Sequence, residues 1–368
     1  MFEKDNEIKR LDNIFLQGIR LNRHGLLRKL WKLQSVGGNS IISALKRRWN
    51  MKRHGLLVPT AIAFSPTMNC NLSCIGCYAK DYPRNDEISM NIIEKMFDDA
   101  EKWGVFMFVI TGGEPLMRDG IINTIGKHRK LLFLMITNGT LMDNDVAKEM
   151  ADAGNIIPVV SIEGSREQTD TRRGDGVYDD VINAMDCLKR QRLLFGFSST
   201  VTSHNFETLS SDQFINDMIN KGCSLGFYTE YIPVGDPEWE LMLDEEERIY
   251  FRKRVLEIRK NKPIMVAHLP DDEYGSGHKC KAIESGSFHI NAQGFVEPCP
   301  FAHFAGDNIK DISLEDVFRS KFLLKIRASQ AIYRHGKIGC SLIENIDILQ
   351  EIAEETGARP TEHLSIKT

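Results

Sequence analysis

The chain has 368 residues and a net charge of −4, with 42% hydrophobic and 27% charged residues. This composition is typical of a globular protein, and the net negative charge argues against a general nucleic-acid binder. No run of about 18 apolar residues predicts a membrane span, and the first residues lack the apolar core of a signal peptide. We therefore predict a cytoplasmic protein, in which eight cysteines are better read as metal ligands or core thiols than as disulfides.

Residues 1–58 form a predicted basic amphipathic leader. They contain 13 Lys and Arg against 4 Asp and Glu, so the rest of the chain carries the acidic excess. Apolar residues at helical spacing predict a helix over residues 6–33, and a second basic stretch runs to about residue 54. A basic leader on an acidic body predicts contact with an anionic surface, such as a membrane met peripherally, or a structural brace against the body itself.

Residues 59–235 alternate between strand and helix patterns. Apolar runs predict six strands at 61–66, 105–111, 131–137, 156–162, 195–202 and 225–232. Helical patterns lie between them at 88–103, 118–130, 143–153, 177–192 and 207–221. This alternation predicts an α/β fold, a partial (β/α)6 barrel whose chemistry collects at the carboxyl ends of the strands.

The alternation is expected to stop after Pro233, so residues 236–368 are predicted to form a helical linker and a small extension. A charged helix is predicted over residues 244–260, then a loop over 270–278. Asn291 to Gly294 reads as a hairpin turn between residues 287–290 and 295–297. Helices near 313–328 and 341–356 close this part.

A compact cysteine motif follows the first predicted strand. Cys70, Cys74 and Cys77 form a C-x3-C-x2-C triplet, and three thiolates on one short loop suit an iron–sulfur cluster with one iron left open. The alternative is a structural zinc site. Zinc prefers four ligands, and the nearest histidine after the triplet is the distant His128.

With Tyr78 directly after it, this triplet at the end of a first barrel strand resembles that of the radical S-adenosylmethionine (SAM) superfamily. The resemblance implies a [4Fe–4S] cluster held by the three cysteines, with SAM bound at the open iron. It also implies an electron donor such as flavodoxin or ferredoxin. Reductive cleavage of SAM would yield a 5′-deoxyadenosyl radical that abstracts hydrogen from a substrate.

The resemblance further assigns a SAM pocket to residues that follow successive strands. The loop after the second strand would meet the SAM amino group, and Ser161 would lie near the ribose or carboxylate. Arg173 would pair with the carboxylate through its planar fork, although it and Arg172 also read as surface charges. The assigned residues are Tyr78, Gly112, Gly113, Glu114, Thr137, Asn138, Ser161, Glu163 and Arg173.

A second cysteine pattern lies near the C-terminus. Cys280, Gly294 and Cys299 form C-x13-G-x4-C, which resembles the start of the SPASM/twitch extension of many radical SAM enzymes. It implies an auxiliary iron–sulfur cluster with Cys340 as third ligand. The fourth position is open to His303, His278, water or substrate, and the alternative is that these cysteines are core thiols.

The sequence leaves the substrate undecided between two classes. The basic leader favours a lipid or other apolar small molecule met at a membrane, whereas SPASM-like extensions also occur on maturases that modify peptide or protein side chains. A non-catalytic electron relay is a third reading, but a relay has no need of a SAM pocket. Tyr228 and Glu230, at the end of the sixth strand, are candidates for contact with substrate.

Overall fold

A computed structural model describes residues 38–270, 280–333 and 339–362. The predicted helix over residues 6–33, nearly all of the loop over 270–278, and His278 lie outside the described residues. In the described part, the helices begin with α1 (Gly38–His54), which carries the second basic stretch of the leader. None of the described helices combines the length and the apolar character needed to cross a membrane.

The six predicted strands are confirmed and form the centre of one parallel sheet. They are β1 (Ala61–Phe64), β2 (Met107–Ile110), β3 (Leu132–Thr137), β4 (Ile156–Ser161), β5 (Gly196–Val201) and β6 (Leu225–Glu230). Each strand pairs in parallel with the next along the chain. All six positions of β4 are buried, which is typical of a parallel strand covered on both faces.

Helices cross over between these strands, as the alternation predicts. They are α2 (Met90–Trp103), α3 (Ile121–Lys127), α4 (Asn144–Ala153), α5 (Arg166–Arg173), α6 (Val177–Arg190), α7 (Phe206–Leu209) and α8 (Asp212–Lys221). The helix predicted over 207–221 is broken, because Ser211 caps a new helix by accepting a hydrogen bond from Phe214 N. The sequence reading missed α5, which starts with a capping box between Ser165 and Gln168.

The prediction that the alternation stops after Pro233 is wrong. Helix α9 (Glu245–Asn261) is followed by β7 (Met265–Leu269), which pairs in parallel with β6. Helix α9 is highly charged, and its buried residues are Phe251, Val255 and Ile258. The parallel sheet therefore continues beyond residue 235, which the sequence analysis predicted as the end of the barrel.

The predicted hairpin is confirmed and joins the same sheet at its other edge. Strands β8 (His289–Ile290) and β9 (Phe295–Glu297) are antiparallel, and β8 pairs in parallel with β1. The ten-stranded order is β11-β9-β8-β1-β2-β3-β4-β5-β6-β7, where β11 is Asp307–Asn308. The hairpin thereby covers the β1 edge, next to the loop that carries the first cysteine triplet.

Most of the rest of the C-terminal part packs around its own apolar cluster, whereas the short helix Leu314–Val317 buries these two residues in the main core. Its elements are α10 (Lys281–Glu284), β10 (Phe304–Ala305), α11 (Leu314–Val317), α12 (Lys321–Ala328), α13 (Ser341–Glu344), α14 (Ile346–Thr356) and β12 (Arg359–Pro360). Both predicted helices are present here, each broken into two. Phe322, Leu349 and Ile352 are among the buried residues of this cluster, and Cys280, Cys299 and Cys340 belong to it or pack against it.

Candidate metal centre and its surroundings

The first cysteine triplet lies on the loop between β1 and α2, at the carboxyl edge of the sheet. All three thiols are partly buried. Burial raises the pKa of Cys70, and the charges of Glu114, Cys74 and Cys77 raise it further. The three cysteines lie within eight residues of one loop, a spacing that suits ligands of one cluster.

Hydrogen-bond donors and cations surround these sulfurs. The Leu72 amide donates to Cys70 Sγ at 3.5 Å and Asn138 Nδ2 does so at 3.8 Å. Burial raises the pKa of Cys74, and Arg173 and Arg172 oppose this rise. Donors and positive charge favour thiolates, so the loop has the chemistry of a sulfur-ligated iron cluster.

Across the described ranges, no three His, Cys, Asp or Glu side chains converge on a single metal-ion position. The choice of a cluster over a zinc site rests on the spacing of the three cysteines in the sequence, and it stays a prediction.

The paired glycines after β2 are required by close contact with the cysteine loop. A Cβ on Gly112 would lie 2.6 Å from the Thr67 carbonyl oxygen, and one on Gly113 would collide with the Asn69 backbone. Gly113 N donates to Thr67 O at 3.0 Å, and Glu114 N donates to Asn69 O at 2.8 Å. The glycines thus fit the loop after β2 against the segment that leads into Cys70.

Glu114 is buried, and both of its carboxylate oxygens accept hydrogen bonds within the protein. It accepts hydrogen bonds from Thr137 Oγ1 at 2.7 Å, Asn138 N at 2.7 Å and Leu116 N at 3.1 Å. Burial raises the pKa of Glu114 and these donors oppose the rise. The side chain joins the loop after β2 to the end of β3, which the sequence reading did not foresee.

Tyr78 connects three parts of the site. Its hydroxyl lies 2.9 Å from Thr111 Oγ1 and accepts a hydrogen bond from Gly112 N at 3.0 Å. Burial raises its pKa to about 12. Its ring lies edge-on to Phe301, with centroids 5.4 Å apart, so the cysteine loop contacts both β2 and the C-terminal extension.

Glu163 pairs with two arginines, where the sequence singled out only one. Its Oε1 lies 2.8 Å from Arg172 Nη1 and 2.5 Å from Arg173 Nη2, while Thr200 N donates to Oε2 at 2.9 Å. Burial alone would raise the pKa of Glu163, but the two arginines outweigh it and lower that pKa. Both arginines are largely buried, so they are not surface charges.

The three C-terminal cysteines, Cys280, Cys299 and Cys340, belong to one apolar cluster or pack against it. Burial raises the pKa of Cys299 well above its usual value, with the charges of Cys340 and Cys280 adding to the rise. None of the eight cysteines is in a disulfide. His303, a candidate fourth ligand, has both ring nitrogens in contacts, at 2.5 Å from Glu362 Oε2 and 2.9 Å from Pro300 O.

A buried network that the sequence reading missed links the two cysteine regions. His289 lies between Ser65 Oγ, at 2.7 Å, and Glu297 Oε2, at 2.6 Å. Glu297 also accepts from Tyr82 OH at 2.7 Å and from the Thr361 hydroxyl. Polar residues at alternate positions along the β8–β9 hairpin were the available signal, since such positions share one face.

The two substrate candidates on β6 are both engaged inside the protein. Tyr228 is fully buried, and its hydroxyl donates to Leu209 O at 2.5 Å. Glu230 pairs with Arg248 Nε at 2.7 Å and His268 Nε2 at 2.9 Å. Burial would raise the pKa of Glu230, but His268 and Arg248 lower it, so the carboxylate stays ionised.

Part of the chain, which includes the cysteine loop, matches a known protein family. Residues 64–222 match the radical SAM superfamily model, and this range contains the cysteine triplet and the strand ends around it. The chain therefore contains a radical SAM domain. The cofactors of this family are a [4Fe–4S] cluster and SAM.

Curated relatives match over a similar part of the chain. Fe-coproporphyrin III synthase of Methanosarcina barkeri is 29% identical over 149 residues, which are 39% of this chain and 37% of the relative. Mycofactocin maturase of Mycobacterium ulcerans is 28% identical over 170 residues, 44% of this chain and 46% of the relative. The chain thus spans less than half the length of these two relatives.

Solved structures support the fold over a wider range. Streptococcus suis SuiB, in a crystal structure with S-adenosylmethionine, covers 83% of this chain with a TM-score of 0.67, and 78% of SuiB is matched. The sequence identity is 18%, so this similarity concerns the fold alone.

Proposed function

We propose that this protein is a radical SAM enzyme whose cluster is held by Cys70, Cys74 and Cys77. The observation that carries the proposal is the grouping of these thiols beside Asn138, Arg172 and Arg173 at the carboxyl edge of a parallel sheet. When bound, the cluster and SAM supply a 5′-deoxyadenosyl radical that abstracts hydrogen from substrate. The chain contributes the binding, orientation and exclusion of water.

We propose that the SAM pocket lies beside the triplet, where the loops after β2, β3 and β4 meet. Gly112, Gly113, Thr137 and Ser161 would line it, as the sequence predicts. Because Glu114 accepts hydrogen bonds from three groups of the surrounding loops, we infer that its role is to hold that pocket in shape. Glu163 orients Arg172 and Arg173, and Arg173 remains our candidate partner for the SAM carboxylate.

We propose an auxiliary iron–sulfur cluster at Cys280, Cys299 and Cys340. Their shared place in one apolar cluster of the C-terminal part supports this grouping. The contacts of His303 with Glu362 and Pro300 disfavour it as the fourth ligand, which leaves the fourth position for His278, water or substrate. A one-electron donor such as flavodoxin or ferredoxin would reduce the enzyme in the cytoplasm.

We propose a lipid or other apolar small molecule as substrate, met at a membrane surface through the basic residues 1–58. Part of this segment is helix α1, whose exposed face is both apolar and basic. The relative named as a synthase of Fe-coproporphyrin III supports a small-molecule substrate. The alternative is modification of a peptide, and the mycofactocin maturase relative supports that class of reaction.

Iron content and SAM cleavage test the two cluster assignments. Anaerobically reconstituted wild type is expected to bind about eight irons, and the Cys280→Ala/Cys299→Ala/Cys340→Ala variant about four. The Cys70→Ala/Cys74→Ala/Cys77→Ala variant should also keep about four but lose 5′-deoxyadenosine formation from SAM and dithionite. Cys187→Ala is the matched control, because this thiol lies on the buried face of α6, away from both cysteine groups in the sequence.

Two results would contradict the proposal. Formation of 5′-deoxyadenosine by the first-triplet variant would remove these cysteines from SAM cleavage. Equal iron content in the wild type and the C-terminal variant would mean that Cys280, Cys299 and Cys340 hold no cluster.

A further inference from the structure

Helix α1 packs on the protein with its polar side. Ser43 and Asn50 are only 8% and 3% exposed, whereas Ile41 and Trp49 are 64% and 53% exposed. Ile42 and Leu45 are exposed as well. An amphipathic surface helix ordinarily turns its apolar stripe inward, so the polarity of α1 is reversed.

Hydrogen bonds to the end of α2 set this orientation. Lys46 Nζ donates to Glu101 O at 2.8 Å, Arg47 Nη1 to Gly104 O at 2.8 Å and Asn50 Nδ2 to Trp103 O at 2.9 Å. The last carbonyls of a helix lack partners within the helix and carry partial negative charge. Cationic and amide donors on one side of α1 satisfy them, which leaves the opposite side facing outward.

The outward side carries positive charge among its apolar residues. Arg48, Lys52 and Arg53 are exposed. At about 100° per residue, Lys52 falls between Ile41 and Leu45, and Arg48 lies about 20° to one side of Ile41. The Arg53 guanidinium lies over the Trp49 ring, 5.1 Å from its centroid. Helix α1 contains no Asp or Glu. We call Ile41, Ile42, Leu45, Trp49, Arg48, Lys52 and Arg53 the α1 outer face.

We propose that the α1 outer face binds an anionic lipid bilayer, lying in the interface between headgroups and acyl chains. Apolar and aromatic side chains beside Lys and Arg, with no acidic residue, are the composition of helices that bind such interfaces. Anionic headgroups would neutralise the three cations while the four apolar side chains leave water. This inference rests on the membrane contact proposed above and names the residues that make it, while the binding itself depends on neither cluster.

Charge disfavours two other occupants of this face. Residues 1–37 contain 8 Lys and Arg against 4 Asp and Glu, so that segment is itself basic and would be repelled. If two copies of the protein met through their α1 outer faces, each would bring the same cationic helix to the contact, and the two helices would repel each other. An anionic bilayer matches both the apolar and the charged residues.

Vesicle flotation tests the proposal with the full-length, cluster-loaded protein. We expect wild type to float with phosphatidylglycerol vesicles and to remain unbound with phosphatidylcholine vesicles. Leu45→Ser/Trp49→Ser and Arg48→Gln/Lys52→Gln should each lower the bound-to-unbound ratio by about tenfold or more. Leu256→Ser/Trp239→Ser is the matched control, since these residues are similarly exposed elsewhere, and it should float as wild type does.

Two results would overturn this assignment. Flotation of Leu45→Ser/Trp49→Ser at the wild-type level would show that the α1 outer face does not make the contact. If wild type fails to float, the bilayer is not the occupant of the α1 outer face. Light scattering would then identify a second copy as the occupant if wild type is a dimer and Leu45→Ser/Trp49→Ser is a monomer. Because flotation requires neither SAM nor reductant, its failure is distinct from failure of SAM cleavage.

Discussion

His289 Nε2 lies 2.7 Å from Ser65 Oγ, and this contact joins the C-terminal hairpin to the segment that leads into the cysteine triplet. The other ring nitrogen of His289 lies 2.6 Å from Glu297, two residues before Cys299. All three side chains are fully buried. The two proposed cluster regions are therefore held together by one polar network.

Replacing His289 should weaken both the fold and the first cluster region. His289→Leu removes one hydrogen-bonding partner from Ser65 and one from the Glu297 carboxylate, which keeps Tyr82 and Thr361 as donors. A lost hydrogen bond to a buried charged group costs about 1.5–3 kcal/mol. Anaerobic denaturation would measure the lowered stability, and the EPR spectrum of the SAM-bound cluster should change as the loop shifts. His204→Leu, at an exposed position, is the control; equal spectra for wild type and His289→Leu would contradict the link.

Removing the charge of Glu163 should be strongly destabilising. Glu163→Gln leaves Arg172 and Arg173 buried without their counter-ion, and breaking a buried ion pair costs about 3–5 kcal/mol. The comparison is Asp179→Asn, because the Asp179–Arg166 pair is solvent-exposed and should matter little. Similar unfolding midpoints for the two variants would refute the structural role of Glu163.

A methyl group at Gly113 should displace the cysteine loop. The added Cβ would meet backbone atoms of Asn69, which cannot swing aside as a side chain tip can. We expect Gly113→Ala to retain less iron in the first triplet after anaerobic gel filtration. Gly306→Ala is the matched control, because its Cβ would lie an ordinary 3.4 Å from Phe322 Cβ; equal iron retention in both variants would exclude the steric argument.

The His303–Glu362 contact predicts a pH-dependent contribution to stability. Burial would lower the pKa of His303, but Glu362 and the charge of Glu297 outweigh it, so that pKa is raised above 6.5. The ring of Tyr82 also packs against the His303 ring. A histidine whose pKa is raised by folding stabilises the folded state fully when the pH is below its pKa in the unfolded chain. This stabilisation is lost as the pH rises through its pKa in the folded protein.

We therefore expect the free energy of unfolding of wild type to exceed that of His303→Gln most near pH 6 and progressively less towards about pH 9. Glu362→Gln should flatten this dependence, because it removes the charge that favours protonated His303. A difference between wild type and His303→Gln that is constant with pH would contradict the raised pKa.

The sequence predicted the barrel strands and both cysteine groups because these signals are local. Each buried parallel strand is a short apolar run, and the first triplet lies within eight residues. The seventh strand was not predicted because β7 is short, buries the polar His268 and follows a highly charged helix. Helix α5 was not predicted because its only buried residue is Thr169, so its sequence has no apolar residues at helical spacing.

The amino-acid sequence by itself determined the order of strands and helices, the cysteine spacing and the basic character of the N-terminal part. Only the tertiary structure decided which polar groups meet: that Glu114 faces Thr137, that Glu163 holds two arginines, and that His289 reaches Ser65. It also decided that α1 turns its polar side inward. The reason is physical, since periodicity encodes burial along one element, whereas partners distant in the chain are chosen by how those elements pack.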